Sequence, residues 1–212
     1  MTEAALAPAQ IDRTIIVEDR HFAYLAEQKG ALDELRGNRE EWERAYAESL
    51  RQDLLDVQPH LPVGSVLDIG SGLGGIDVLI DRASGGGVRV CLLDGVDDPP
   101  RMRLHRETFN DMQVAMDFLR INGVLDSTWT PPSRPRAQTF DLIISFGSWC
   151  FHYPPETYLE FVKLCCIPGE TAIILDVRRS KAAWAMQLSS AFKKIEVIRS
   201  GRKYDRILYR AR

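Results

Sequence analysis

Val66-Leu67-Asp68-Ile69-Gly70-Ser71-Gly72-Leu73-Gly74-Gly75 is the stretch that decides how this chain folds. Its first half is an apolar run of strand type carrying a carboxylate near its end. The chain then turns through a glycine-rich loop into an apolar helical pattern, Ile76-Asp77-Val78-Leu79-Ile80. Glycine serves where the backbone takes φ > 0, or where a ligand approaches closer than a Cβ allows. A loop of this kind that opens a helix presents free N–H groups and the positive end of a helix dipole. It is a seat for the polar part of a nucleotide-like cofactor. The alternative is a tight strand-to-helix turn that holds nothing.

Two patterns overlap in the loop. Gly70, Gly72 and Gly75 satisfy the dinucleotide fingerprint G-x-G-x-x-G, and Asp94 stands about 20 residues on, where a ribose-binding acid belongs. Gly70, Gly72 and Gly74 equally satisfy G-x-G-x-G. Asp68 separates the two, because a carboxylate repels a pyrophosphate in a low-dielectric loop and attracts a cationic tail. S-adenosylmethionine has such a tail, a sulfonium centre, an adenosine and no phosphate. On these residues the chain resembles the class I S-adenosylmethionine-dependent methyltransferases, whose first motif has this acidic-x-Gly-x-Gly form.

The 212 residues suffice for one α/β domain with a sizeable core, and 45% hydrophobic with 27% charged content is that of an ordinary globular protein. Met1 to Ile16 has no basic stretch followed by an apolar one, so no signal peptide is expected. No apolar run approaches the roughly 18 residues of a membrane span. Cys91, Cys150, Cys165 and Cys166 show no C-x-x-C spacing and sit in apolar segments. They read as buried reduced thiols, which places the protein in the cytoplasm. Residues 178–212 hold eleven Lys/Arg against Glu196 and Asp205, a local net of +9 in a chain whose net is −3. Such a segment is either a solvated face or an attractor for an anionic substrate or acidic partner.

Residues 20–56 are helical in composition, with Leu25, Leu32, Leu35, Trp42, Tyr46, Leu50 and Leu54 on a near-3.6 period and breaks at Gly30 and Gly37-Asn38. From Val66 onward strands and helices alternate. Strands are expected near 65–69, 88–94, 140–146 and 171–177, and helices near 74–82, 106–121, 155–166 and 180–192. A further strand belongs between Val124 and Trp129. A hairpin at 194–199 and 206–210, turning through 200–203, closes the chain. The expected fold is α/β: a doubly wound, mostly parallel seven-stranded sheet with helices on both faces. An N-terminal helical cap or lid (1–60) covers the methyltransferase domain (61–212). The antiparallel end of the hairpin is similar to the last strand of class I methyltransferases, and the resemblance covers roughly residues 60–212.

Ligands of open α/β sheets bind beyond the carboxyl ends of the strands, near the reversal of strand order. The resemblance implies that Asp68 binds the methionine part of the cofactor and that Gly70, Ser71, Gly72 and Gly74 line it. Asp94 can accept hydrogen bonds from both ribose hydroxyls, or be a turn acid before Gly95. Gly95 and Val96 are then expected under the adenine. An acid or hydroxyl after the third strand is the family's adenine contact, which makes Asp126 or Ser127 the candidate here. Ser145 and Phe146 end the fourth strand beside the cofactor. His152 in the following segment is the candidate general base, since an imidazole pKa near ~6.5 suits removing a proton from a hydroxyl; the alternative is a packing role. Trp149, Phe151 and Tyr153 either wall a substrate pocket or pack in the core. Asp176, closing the fifth strand, is expected to face the acceptor.

The segment after the fourth strand lacks the Asn/Asp-Pro-Pro-aromatic motif of methyltransferases that act on amide or base amino groups; Asp98-Pro99-Pro100 lies elsewhere. His21, His60 and His105 have no metal spacing with any carboxylate pair, so no metal is expected. The resemblance therefore implies an S-adenosylmethionine-dependent transfer to a small-molecule acceptor, foremost a hydroxyl oxygen of a sugar, phenol or secondary metabolite. RNA or protein methylation and a non-catalytic cofactor-binding module are the competing readings, and an NAD-dependent oxidoreductase is the remaining one.

Overall fold

The computed structural model of this protein describes residues 14–95 and 111–212. Two helices come first, α1 (Asp19–Gln28) and α2 (Arg39–Val57), joined by a 3-10 turn at Gly30–Leu35. The breaks fall at the glycines. Asn38 caps α2 by accepting a hydrogen bond from the Glu41 N–H, as a short polar side chain does at an N-terminus. The buried residues of α2 are Trp42, Tyr46, Leu50, Leu54 and Val57, one stripe at helical spacing.

The sheet follows: β1 (Ser65–Ile69), α3 (Gly75–Ala83), β2 (Arg89–Leu93), α4 (Met112–Ile121), β3 (Ser127–Thr130), β4 (Leu142–Ser145), α5 (Leu159–Leu164), β5 (Ala172–Arg178), α6 (Ala182–Ala191), β6 (Lys193–Ser200) and β7 (Tyr204–Arg210). Strand order is β3-β2-β1-β4-β5-β7-β6. All neighbours pair in parallel except β7, which runs antiparallel to both β5 and β6. The order reverses between β1 and β4, so the binding crevice opens above the ends of β1, β2 and β4.

Most elements lie where periodicity puts them. Two differ. The expected helix at 155–166 is confined to Leu159–Leu164 behind a 3-10 turn at Pro155–Thr157, because Pro154 and Pro155 lack the N–H that a helix interior needs. The third strand starts later than expected. Gly123 at φ 92 ends α4, and the Val124 N–H bonds back to the Leu119 carbonyl, so the chain is still in a helix-terminating turn there. Residues 106–110 of the expected fourth helix lie outside the described residues.

Period-two alternation sorts the strand side chains onto two faces. Val66, Val90, Leu92, Leu142, Ile144, Ile174 and Leu208 pack with α1 to α4. Leu67, Ile69, Cys91, Leu93, Ile143, Ile173, Leu175 and Tyr209 pack on the other face with α5 and α6. The stripe of α2 shares the first core with the sheet. By the same alternation Asp68, Asp176 and Arg206 project toward the α2 side. That places three charged groups in or beside an apolar core, and their partners differ sharply.

Candidate active site

Gly70, Gly72 and Gly74 all take positive φ, at 73°, 60° and 77°. Gly74 is the left-handed residue immediately before α3. Gly75 has a different reason to be glycine: a Cβ there would lie 2.1 Å from the Tyr46 hydroxyl of α2. At Gly70 a Cβ would lie 1.9 Å from Ser148 Oγ. The overlapping glycine patterns thus reflect two demands, backbone conformation at 70, 72 and 74, and close approach at 70 and 75.

The loop is stitched to the end of β2. Asp94 accepts from the Gly72 N–H at 2.8 Å and from the Gly95 N–H at 2.7 Å. Asp68, at 3% exposure, lies under the loop and lines the cleft. Burial raises its pKa well above the usual carboxylate range; the charges of Asp77 and Asp94 add to this and Lys29 offsets part. Asp77, in the first turn of α3, is pushed up to about 7, chiefly by burial. Apart from the carboxyl of Asp68, no side chain among the described residues hydrogen-bonds its carboxylate oxygens.

The opposite walls come from α1, α2 and the segment after β4. Leu25, Lys29, Tyr46, Leu50 and Asp53 face the loop from the N-terminal side, and Phe146, Ser148, His152, Tyr153 and Tyr158 from the other. Pro132, just past β3, closes one end. Behind Phe146 the Arg206 guanidinium lies 3.6 Å from the ring centroid. Arg206 is 1% exposed and binds Asp176 bidentately at 2.7 and 3.0 Å, and Asp53 and Asp56 at 2.6 and 2.8 Å. Arg199 joins at 2.9 Å to each of Asp53 and Asp56. Three buried or half-buried carboxylates share two guanidinium groups, tying α2 to β5, β6 and β7.

The structure gathers Asp68, Gly70, Ser71, Gly72, Asp94, Phe146 and His152 around one cleft, with Gly74 opening α3 beneath it and Gly95 following Asp94. His152 is exposed at the rim, with the Phe151 ring edge-on at 4.7 Å. Three expectations are corrected. Asp126 is exposed and precedes β3, and Ser127 is its first residue. In a parallel strand that is the end of the sheet away from the cleft; the late start of β3 puts Pro131 and Pro132 where the candidates were sought. Ser145 is fully buried, donating to the Ile69 carbonyl at 2.7 Å and accepting from the Trp149 N–H at 2.9 Å, so it knits β4 to β1. Asp176 sits directly opposite Arg206 in the β5–β7 register and faces that arginine in place of an acceptor.

Of the aromatic candidates Tyr153 lines the cleft, while Trp149 is buried with its indole N–H on the Pro155 carbonyl. Val96 and Asp98-Pro99-Pro100 lie outside the described residues. Glu18, His21 and Asp117 cluster with metal-ligand composition. Arg20, however, pairs with both acids, and His21 Nδ1 accepts from the Glu18 N–H at 3.1 Å, which makes the group a helix cap. The residues that the sequence reading missed are Asp77, Tyr46, Lys29 and Asp53. Only Asp77 carried a local signal, an acid inside an apolar helical run.

No family model matches the sequence, and no curated protein does. Solved structures do match. The N-methyltransferase NodS from Bradyrhizobium japonicum, in complex with S-adenosyl-L-homocysteine, is 14% identical with TM-score 0.56, over 77% of this chain and 86% of that one. A putative O-methyltransferase from Klebsiella pneumoniae is 17% identical with TM-score 0.53, over 89% and 94%. The ribosomal protein L11 methylase from Lactobacillus delbrueckii subsp. bulgaricus is 17% identical with TM-score 0.51, over 75% and 77%. The strand order, the antiparallel β7 and these likenesses together identify the fold of this chain as that of the class I S-adenosylmethionine-dependent methyltransferases.

Proposed function

We propose that this protein is an S-adenosylmethionine-dependent methyltransferase acting on a small-molecule hydroxyl. The observation that carries the reading is the sign of the cleft floor. Asp68, Asp77 and Asp94 converge under the glycine loop at the reversal of strand order, and three carboxylates repel a pyrophosphate while attracting a cation. Asp77's carboxylate, hydrogen-bonded by no described side chain but Asp68, and a loop without Cβ at Gly70, Gly72 and Gly74 fit a ligand with a cationic tail and an uncharged nucleoside.

In this reading Asp68 holds the ammonium of the methionine part, and Asp94, fixed at the cleft by the Gly72 and Gly95 N–H groups, accepts from the ribose hydroxyls. The bound cofactor supplies a methyl group activated by its sulfonium centre. What remains for the protein is to place the acceptor in line and exclude water. Phe146 and Tyr153 on one side and Leu25 and Leu50 on the other supply the apolar surface for that. His152 takes the hydroxyl proton. Of the proposed cap at 1–60, the described helices α1 and α2 act as a wall over the domain at 61–212 and contribute Lys29, Tyr46 and Asp53 to the cleft.

The RNA reading loses part of its support, because two cations of the basic segment are spent inside the fold: Arg199 and Arg206 are held by Asp53, Asp56 and Asp176. Cys91, Cys150 and Cys165 are buried and all four cysteines are free, which favours a reducing compartment, the cytoplasm. Parallel calorimetric titration with S-adenosylmethionine, S-adenosylhomocysteine and NAD tests the cofactor. Micromolar binding of the first two alone supports the reading, and NAD alone overturns it. With an acceptor in hand, His152→Ala should cost about 10²–10⁴ in turnover with cofactor affinity unchanged; a loss below about tenfold returns His152 to packing.

A further inference from the structure

Asp77 has counted so far only as one of three acids under the glycine loop, and its surroundings are unusual. It is fully buried in the first turn of α3, and apart from the carboxyl of Asp68 no side chain among the described residues hydrogen-bonds either carboxylate oxygen. A carboxylate in that condition is costly as an anion and lowers the cost by taking up a proton. The charged and titratable groups around it come from every packed element. Asp68 at the end of β1 interacts with it directly, and Asp94 lies beyond Asp68. Tyr46 approaches from α2 and Cys91 from β2, while Asp53 of α2 acts on Tyr46, and Lys29, at the end of α1, acts on Asp68. The Lys29 ammonium sits over the Tyr46 ring, 5.7 Å from its centroid. The acids therefore outnumber the cations at the cleft floor, and one more positive charge is wanted there.

We propose that Asp77 is a positioning residue that shares one proton with Asp68, and that cofactor binding expels this proton to solvent. In the cofactor-free protein the shared proton lets two buried carboxyl groups lie together. An ammonium arriving at Asp68 stabilises both as anions, the O–H bond is broken, and the proton passes to the buffer. Asp77 then serves as a second counter-charge behind Asp68 and keeps its carboxylate aimed at the cleft. Burial already lifts Asp77 to about 7 and Asp68 well above its ordinary range, so the proton is present near neutrality. The inference rests on the cofactor reading above and adds that binding is linked to proton release.

The test is calorimetry of the full chain with S-adenosylhomocysteine at one pH below 7, in buffers of different ionisation enthalpy, followed by a pH series. The ligand's own ammonium stays charged throughout that range. The wild type should release about one proton per ligand, and its affinity should rise up to about tenfold per pH unit below about 7. Asp77→Asn, whose amide can donate to Asp68, should lose both the release and the pH dependence. Equal heats in all buffers for the wild type overturn the proposal, as does undiminished release in Asp77→Asn. If that variant fails to fold, a flat wild-type pH series overturns it alone. Absence of any binding would take the cofactor reading down first, whereas binding without proton exchange removes only the shared proton.

Discussion

Two carboxylate clusters lie on the same face of the sheet, and they are built in opposite ways. At the hairpin, Asp176, Asp53 and Asp56 meet Arg206 and Arg199 in six contacts at 2.6–3.0 Å. Under the glycine loop, Asp68 and Asp77 meet each other, and among the described residues no cationic side chain hydrogen-bonds Asp77. Burial raises the pKa of Asp176 too, but the hydrogen bonds and charge of Arg206 work against that rise. Arg206 itself stays above its ordinary value because Asp176 and Asp53 outweigh its burial. A satisfied buried cluster is architecture. An unsatisfied one beside a cleft leaves a charge uncompensated, and in the proposed reading a ligand supplies the balance.

The largest effect should come from breaking the satisfied cluster. Arg206→Met leaves Asp176 buried without its guanidinium and should cost about 3–5 kcal/mol in denaturant unfolding. A loss under about 1 kcal/mol would mean the two clusters are alike after all. Next is Asp94→Ala, which removes a charged acceptor from the loop and should weaken cofactor binding by about 1.5–3 kcal/mol; unchanged affinity in the titration would remove it from the site.

The sharpest contrast is one substitution made in both clusters. Asp176→Asn should destabilise by about 1–3 kcal/mol, since it removes the charge that Arg206 needs, whereas Asp77→Asn should stabilise the cofactor-free protein at pH 7 by about 1–2 kcal/mol. Equal signs in thermal melts would erase the distinction. The pH dependence follows the same line. Asp77 is raised from 3.8 to about 7, so between those values the folded form holds a proton that the unfolded chain has lost. The pair's contribution to stability therefore falls as pH rises from about 4 to about 7, and Asp77→Asn should flatten that slope. As the smallest effect, Lys163→Gln removes an exposed pair with Glu160 at 2.7 Å and should move stability by less than about 0.5 kcal/mol.

The reading from sequence succeeded where a signal is local. The strand at 65–69, the helix that follows the glycines and the terminal hairpin each declare themselves within about ten residues, through a period of 2 or 3.6 and a turn residue. The α2 stripe from Trp42 to Val57 and the breaks at Gly30 and Gly37 are of the same kind. Asp126 failed for a reason that is also local. The turn ending α4 at Gly123 consumed the residues expected to begin β3, and a shift of a few residues carried the candidate to the far end of the sheet.

The remaining differences are not local at all. Asp176 and Asp94 both follow apolar strand runs and look equivalent in sequence. One meets an arginine 30 positions away and the other caps a loop 22 positions away. Gly75 reads as one more loop glycine until Tyr46 comes down on it. The sequence by itself determined the class of fold and the acid-and-glycine loop, because these depend on residue type and short spacing. Which carboxylates are paired and which are left bare was decided only by the tertiary structure. The β5–β7 register and the seating of α2 on the sheet set distances between residues up to 153 apart, and no local period encodes those.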